Sequence, residues 1–247
     1  MASKKRPTAP FVTVTVYSTS PEEETFGAVT EVLRDVGTAT GVITESAVDH
    51  GNGGGTSGVG DTPGISGEKT HVIGELFQVP RIGPAYCEYV YRRSDSDRHA
   101  IAVNMSAEEL GIPVEYLNRD ELISADRREK FSRTLLHRMS NISGVLYGSV
   151  DIEQPVPTPS ELTSMPLPVD LYIANSLLTA EVVENLEYLY HKVNGTSTLW
   201  ENGVFYTPFR SVRARDPRGR RNVVNLEKDV TPVIATAFDL WRRRTYG

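Results

Sequence analysis

Cysteine is nearly absent: Cys87 is the single one among 247 residues. One chain can therefore form no internal disulfide and no zinc site built on two or more cysteines, and the lone thiol is expected as a small core residue rather than a nucleophile. Long apolar runs are missing too. No stretch approaches the roughly 18 consecutive apolar residues of a membrane-spanning helix. The N-terminal Lys4-Lys5-Arg6 cluster has no apolar run after it, so a signal peptide and a membrane partner are not expected, and the expected location is cytoplasmic. The short enzymatic signatures fail together: there is no G-x-S-x-G, no H-E-x-x-H and no calcium-loop pattern.

Glycine is plentiful, but its clustering does not make a nucleotide site. Gly53-Gly54-Gly55-Thr56-Ser57-Gly58 formally matches G-x-G-x-x-G, which works by bringing phosphate against N–H groups at a helix N-terminus. Here glycines continue at positions 60, 64 and 67 with no helical pattern behind them. Glu68 separates Gly67 from Lys69, and Thr62 stands where a phosphate loop needs its first glycine. Residues 51–68 read as a flexible Gly-rich loop, and no cofactor is expected.

What is present describes a folded, acidic chain. An apolar fraction of 39% beside 23% charged residues is far from the composition that keeps chains disordered. The net charge is −6, yet the cations are clustered at Lys4–Arg6, in six arginines between Arg210 and Arg221, and at Arg242–Arg244. The remainder is strongly acidic and suited to attract a basic partner.

The periodicities predict an α+β domain: mostly antiparallel sheet(s) with about four helices packed on one face. Residues 1–10 read as a disordered basic leader and 11–247 as a single domain, with a subdivision conceivable near 105–118. Val12, Val14 and Val16 alternate with Thr13 and Thr15, the period of a half-buried strand over Phe11–Ser18. Ser20-Pro21-Glu22-Glu23 then predicts a capped helix start, and Gly37 a left-handed residue after the helix end. Strands over 40–49, 70–79, 85–92 and 99–104 suggest an antiparallel meander. A helix is expected within 118–139, capped by Asn118 or Ser124, and strands over 145–154 and 171–175. Thr179 starts a further helix that Gly195 follows, Asn202-Gly203 marks a hairpin, and Thr231-Pro232 opens the last helix.

Three groups of residues carry candidate chemistry. Asp151 and Glu153, two apart on a predicted strand, would project from one face as an acid/base pair requires. His50 and His71 bracket the glycine loop and could share a metal if their strands pair. Arg210, Arg213, Arg218, Arg220 and Arg221 offer guanidinium forks for phosphates or carboxylates, a means of contacting nucleic acid or a partner protein. Trp200, Glu201 and Tyr206 flank the predicted hairpin turn and supply aromatic surface of the kind enriched at interfaces.

These features point to a non-enzymatic intracellular protein-binding module that neutralises a basic partner in the manner of an immunity protein or antitoxin. Charge complementarity would steer and aromatic anchors would hold. Many toxin-neutralising immunity proteins share this general type, a small acidic α+β protein without catalytic signature, though not a motif. The alternatives are an enzyme whose site is assembled from Asp151, Glu153, His50 and His71, and a nucleic-acid binder using the 210–221 arginine segment.

Overall fold

The alternation that starts at Phe11 becomes the axis of the molecule. A computed structural model of the chain describes residues 7–47, 70–90, 97–112, 116–208 and 220–247. Strand β1 (Phe11–Ser18) directs Val12, Val14 and Val16 to one face and Thr13, Thr15 and Tyr17 to the other, and all six are buried. A strand buried on both faces must be central and covered twice. β1 pairs on one side with β5 (Ala100–Ser106) and on the other with β6 (Val145–Ile152). The remaining strands are β2 (Thr38–Ala47), β3 (Thr70–Val79), β4 (Gly83–Val90), β7 (Leu171–Ala174), β8 (Thr196–Trp200) and β9 (Gly203–Thr207). They form one nine-stranded sheet in the order β2-β3-β4-β5-β1-β6-β7-β9-β8, with every pairing antiparallel. The expected meander is its β2–β5 half.

Among the described residues four α-helices accompany the sheet: α1 (Glu22–Val36), α2 (Arg119–Met139), α3 (Ala180–Lys192) and α4 (Arg220–Tyr246). The α+β class is as expected, but the placement of all helices on one face is corrected. Val29 and Leu33 of α1, with Leu135, Leu136 and Met139 of α2, close over the valine face of β1. On the opposite face Leu186 and Tyr190 of α3, with Val230, Ile234 and Phe238 of α4, close over Tyr17, Tyr147, Leu171, Ile173 and Tyr206. The reason is energetic: leaving those five side chains in water would forgo about 1.5–3 kcal/mol for each.

Helix ends show where local rules held. Asn118 caps α2, its side chain accepting from the Asp120 and Glu121 N–H groups at 2.9 and 3.0 Å while Glu121 accepts from the Asn118 N–H at 2.8 Å. Thr179 caps α3 through the Val182 N–H. Ser20 does not cap α1: Pro21 is the boundary residue, and the Ser20 hydroxyl donates to the Ser143 carbonyl instead. Gly37 is extended, since β2 starts at the next residue, and the left-handed residue after α3 is Asn194, not Gly195.

The largest correction concerns α4, which begins at Arg220 and runs through Pro232 rather than opening there. Proline inside a helix forfeits one backbone bond. Thr231 stitches the surrounding backbone: its Oγ1 donates to the Glu227 carbonyl at 2.6 Å and accepts from the Leu167 N–H at 2.8 Å.

The last residues of the predicted leader are not detached, because the Thr8 N–H donates to Ser106 Oγ at 2.7 Å and the Ala107 N–H to the Pro10 carbonyl. The Gly-rich loop lies outside the described residues.

Candidate protein-docking groove beside the β8–β9 hairpin

The hairpin turns through two residues, Glu201 and Asn202, between the paired Trp200 and Gly203. Neither turn residue has a positive φ, so Asn202-Gly203 is not the centre of a primed turn. Gly203 serves a different purpose: a Cβ there would strike the Ile173 carbonyl and the Tyr172 ring, so glycine lets β9 lie against β7. The Asn202 side chain donates to Asn141 Oδ1 at 2.9 Å, and the Asn202 backbone carbonyl accepts from the Tyr172 hydroxyl at 2.9 Å. The turn is thereby fixed to the C-terminal end of α2 and to the sheet.

Alternation sends Thr196, Thr198 and Trp200 of β8, with Phe205 and Thr207 of β9, to the α2 face. Together with Arg133, Thr134 and His137 of α2 they line an open groove of about 470 Å³. Trp200 lies half-buried in it, parallel to Phe205 at 4.7 Å between centroids, stacked on Tyr172 at 5.5 Å and tilted against His137 at 4.6 Å. Arg133 forms the other wall. Its guanidinium contacts Glu129 Oε1 at 2.7 Å and Asp170 Oδ2 at 3.7 Å, donates to Thr207 Oγ1 at 3.4 Å, and lies 5.8 Å from the Phe205 ring centre. Glu129 and Asp170 are 4% and 1% exposed, so this cation is held by carboxylates removed from water.

β8 is an end strand of the sheet, and its first four residues are exposed, with Leu199 at 79%. Tyr206 points to the other face, into the core against Tyr190. Among the described residues its hydroxyl finds no hydrogen-bond partner, and burial, followed by the nearby Glu187 charge, pushes its pKa up to about 12. Burial moves Tyr172 in the same direction, also to about 12. Of the expected partner-binding aromatics, Trp200 is therefore at the groove and Tyr206 is core, while Glu201 is exposed at the turn.

The same face of the sheet as Tyr206 carries a polar band farther along. Tyr86, Asn104, Thr13 and Asp151 occupy one row across β4, β5, β1 and β6. Thr13 Oγ1 donates to Asn104 Oδ1 at 2.9 Å, and Asn104 Nδ2 donates to Glu88 Oε1 at 2.6 Å. Asp151 belongs to this band, but Glu153 does not share its face. The strand ends at Ile152, and Glu153 is exposed with a left-handed backbone, φ 57°. His71 lies in β3 opposite Ser46, with β4, β5 and β1 between it and Asp151's strand, so the two are not brought together. His50 lies outside the described residues, as do Arg210, Arg213 and Arg218; Arg220 and Arg221 open α4. Among the described residues no group of three His, Cys, Asp or Glu side chains could hold a metal. Cys87 is fully buried, and burial raises its thiol pKa well above the usual value. No described helix is long and apolar enough to cross a membrane.

Glu129, Arg133 and His137 did not stand out in the sequence, although their spacing of four was a legible signal. It places one carboxylate, one guanidinium and one imidazole along a single stripe of α2.

No protein-family model, curated protein or solved structure matches this chain.

Proposed function

We propose that the chain is a protein-binding module whose partner is basic and docks at the β8–β9 end of the sheet. The observation that carries this reading is Trp200: a half-buried indole braced by Phe205, Tyr172 and His137 beside an exposed end strand. A rigid aromatic at the floor of a groove is the kind of anchor that dominates protein interfaces. The net charge of −6 supplies long-range attraction for a cationic partner. Neutralisation of a basic protein in the cytoplasm, as immunity proteins do, is the biological form this reading takes.

The test is affinity capture from the native host with the full chain, followed by rebinding of the purified captured protein. One basic protein should be retained in stoichiometric amount and rebind the wild type. It should bind more weakly to Trp200→Ala and to the exposed double variant Glu184→Lys/Glu187→Lys, each verified as folded. Retention of nucleic acid alone, or rebinding indifferent to all three substitutions, overturns the proposal.

A further inference from the structure

We infer that β8 is an acceptor strand, to whose free edge an extended basic segment of the partner adds as a tenth strand. The inference rests on the protein-binding reading above and specifies its mode.

The backbone supplies the first argument. In a two-residue hairpin the residues flanking the turn form a hydrogen-bonded pair, and hydrogen-bonded positions then alternate. Trp200, Thr198 and Thr196, opposite Gly203, Phe205 and Thr207, are therefore bonded to β9. The N–H and C=O groups of Ser197 and Leu199 point away from the sheet, where no described strand follows. These four groups are the pattern an added strand requires.

The second argument is what β8 lacks. Edge strands are commonly protected by charge, proline or a bulge. The opposite end strand, β2, has a bulge between Ala39 and Gly41. β8 reads Thr-Ser-Thr-Leu-Trp, with no charge, no proline and no register shift, and it is exposed from Thr196 to Leu199. Among the described residues no strand pairs with this edge, and it is competent to pair.

Charge selects the occupant. Asn185, Tyr188, Leu189 and Lys192 line the groove between α3 and α4. At 100° per residue, Glu187 then falls on the flank of α3 away from α4, beside β8, while Glu184 faces outward from the helix. The influence of Glu187 on Tyr206 of β9 agrees with that placement. With Glu201 at the turn, two exposed carboxylates, Glu187 and Glu201, border the free edge. A second copy of this chain would bring a second set of the same charges and a body of net charge −6, whereas a basic segment meets opposite charge. Alternate side chains of that segment would face Trp200 in the groove and Glu187 of α3.

The test uses the full chain and two fluorescent heptapeptides of alternating pattern, one with Lys and Arg between Val and Thr, the other with Glu in place of each cation. The basic peptide should bind, more weakly as salt is added, and should slow amide exchange at Ser197 and Leu199. Ser197→Pro removes an outward N–H without touching the β9 ladder, and Leu199→Lys charges the edge. Each should weaken binding about tenfold or more while leaving the thermal unfolding curve close to wild type. If Trp200→Ala lowers binding but the two edge variants do not, the groove reading stands and strand addition is overturned. If none of the three matters, or the basic peptide does not bind, both fall. Equal binding of the acidic peptide, or a wild-type dimer that Ser197→Pro dissociates, overturns the choice of a basic partner segment.

Discussion

The Trp200 indole and the Phe205 ring lie 4.7 Å apart and within 1° of parallel, a diagonal pair across the β8–β9 hairpin. Such pairs add about 0.5–1.5 kcal/mol beyond the area they bury. Trp200→Ala should therefore cost about 2 kcal/mol in urea unfolding, and Trp200→Phe clearly less. An unchanged midpoint for Trp200→Ala would mean that the stack contributes nothing to the hairpin.

Arg34 reaches across from α1 to β3, where its Nη2 lies 3.0 and 2.9 Å from the two carboxylate oxygens of Glu75. Glu75 is only 8% exposed. Arg34→Met should destabilise the protein by about 2 kcal/mol, less than a fully buried pair would lose because Arg34 is partly solvated. A double-mutant cycle with Glu75→Leu should recover most of the loss. Simple additivity of the two substitutions would refute the coupling.

Thr231→Val leaves the buried Leu167 N–H without its acceptor. The expected loss is about 1–3 kcal/mol, while Thr231→Ser, which keeps the hydroxyl, should stay within about 1 kcal/mol of wild type. Chemical denaturation of the two variants side by side decides it.

The meander, the α2 cap and the hairpin were legible because each is written in a short window: alternation for a strand, Asn118 with Glu121 for the cap. The second helical layer was not. Nothing local tells that Tyr147 and Leu171 face one cover while Val150 and Tyr172 face another; that follows only once β1, β6 and β7 are neighbours. Pro232 misled for a related reason. Proline marks a helix start on propensity, but here the helix continues through it, beside a Thr231 tied to Leu167, 64 residues away in sequence. At the groove, Trp200 was readable as an aromatic beside a turn, whereas the partnership of Arg133 with Asp170 required the tertiary fold.

Tyr172 and Tyr206 make alkaline pH informative. Their folded pKa values are raised from 10.0 to about 12 by burial, so the folded state disfavours the phenolate. Their contribution to stability is whole below pH 10, where neither state ionises. It declines as pH rises from 10 to about 12, because the unfolded chain ionises first. Denaturation midpoints should fall across that window. Tyr206→Phe should soften the fall and, by deleting a buried hydroxyl that has no partner among the described residues, match or exceed wild-type stability at neutral pH. A marked loss at neutral pH would show that the hydroxyl is bonded.

The central place of β1 bears on how the chain comes together in time. β1 is hydrogen-bonded on one edge to residues 101–106 and on the other to residues 145–152. Its neighbours are thus made roughly a hundred residues later, a separation that slows closure. During translation α1 emerges directly after β1 and packs on the same face as Val12, Val14 and Val16, whereas the second edge of the strand waits for β6. The strand at the centre of the sheet thus keeps one edge unpaired until β6 has been made, so its early life depends on what shields that edge in the meantime.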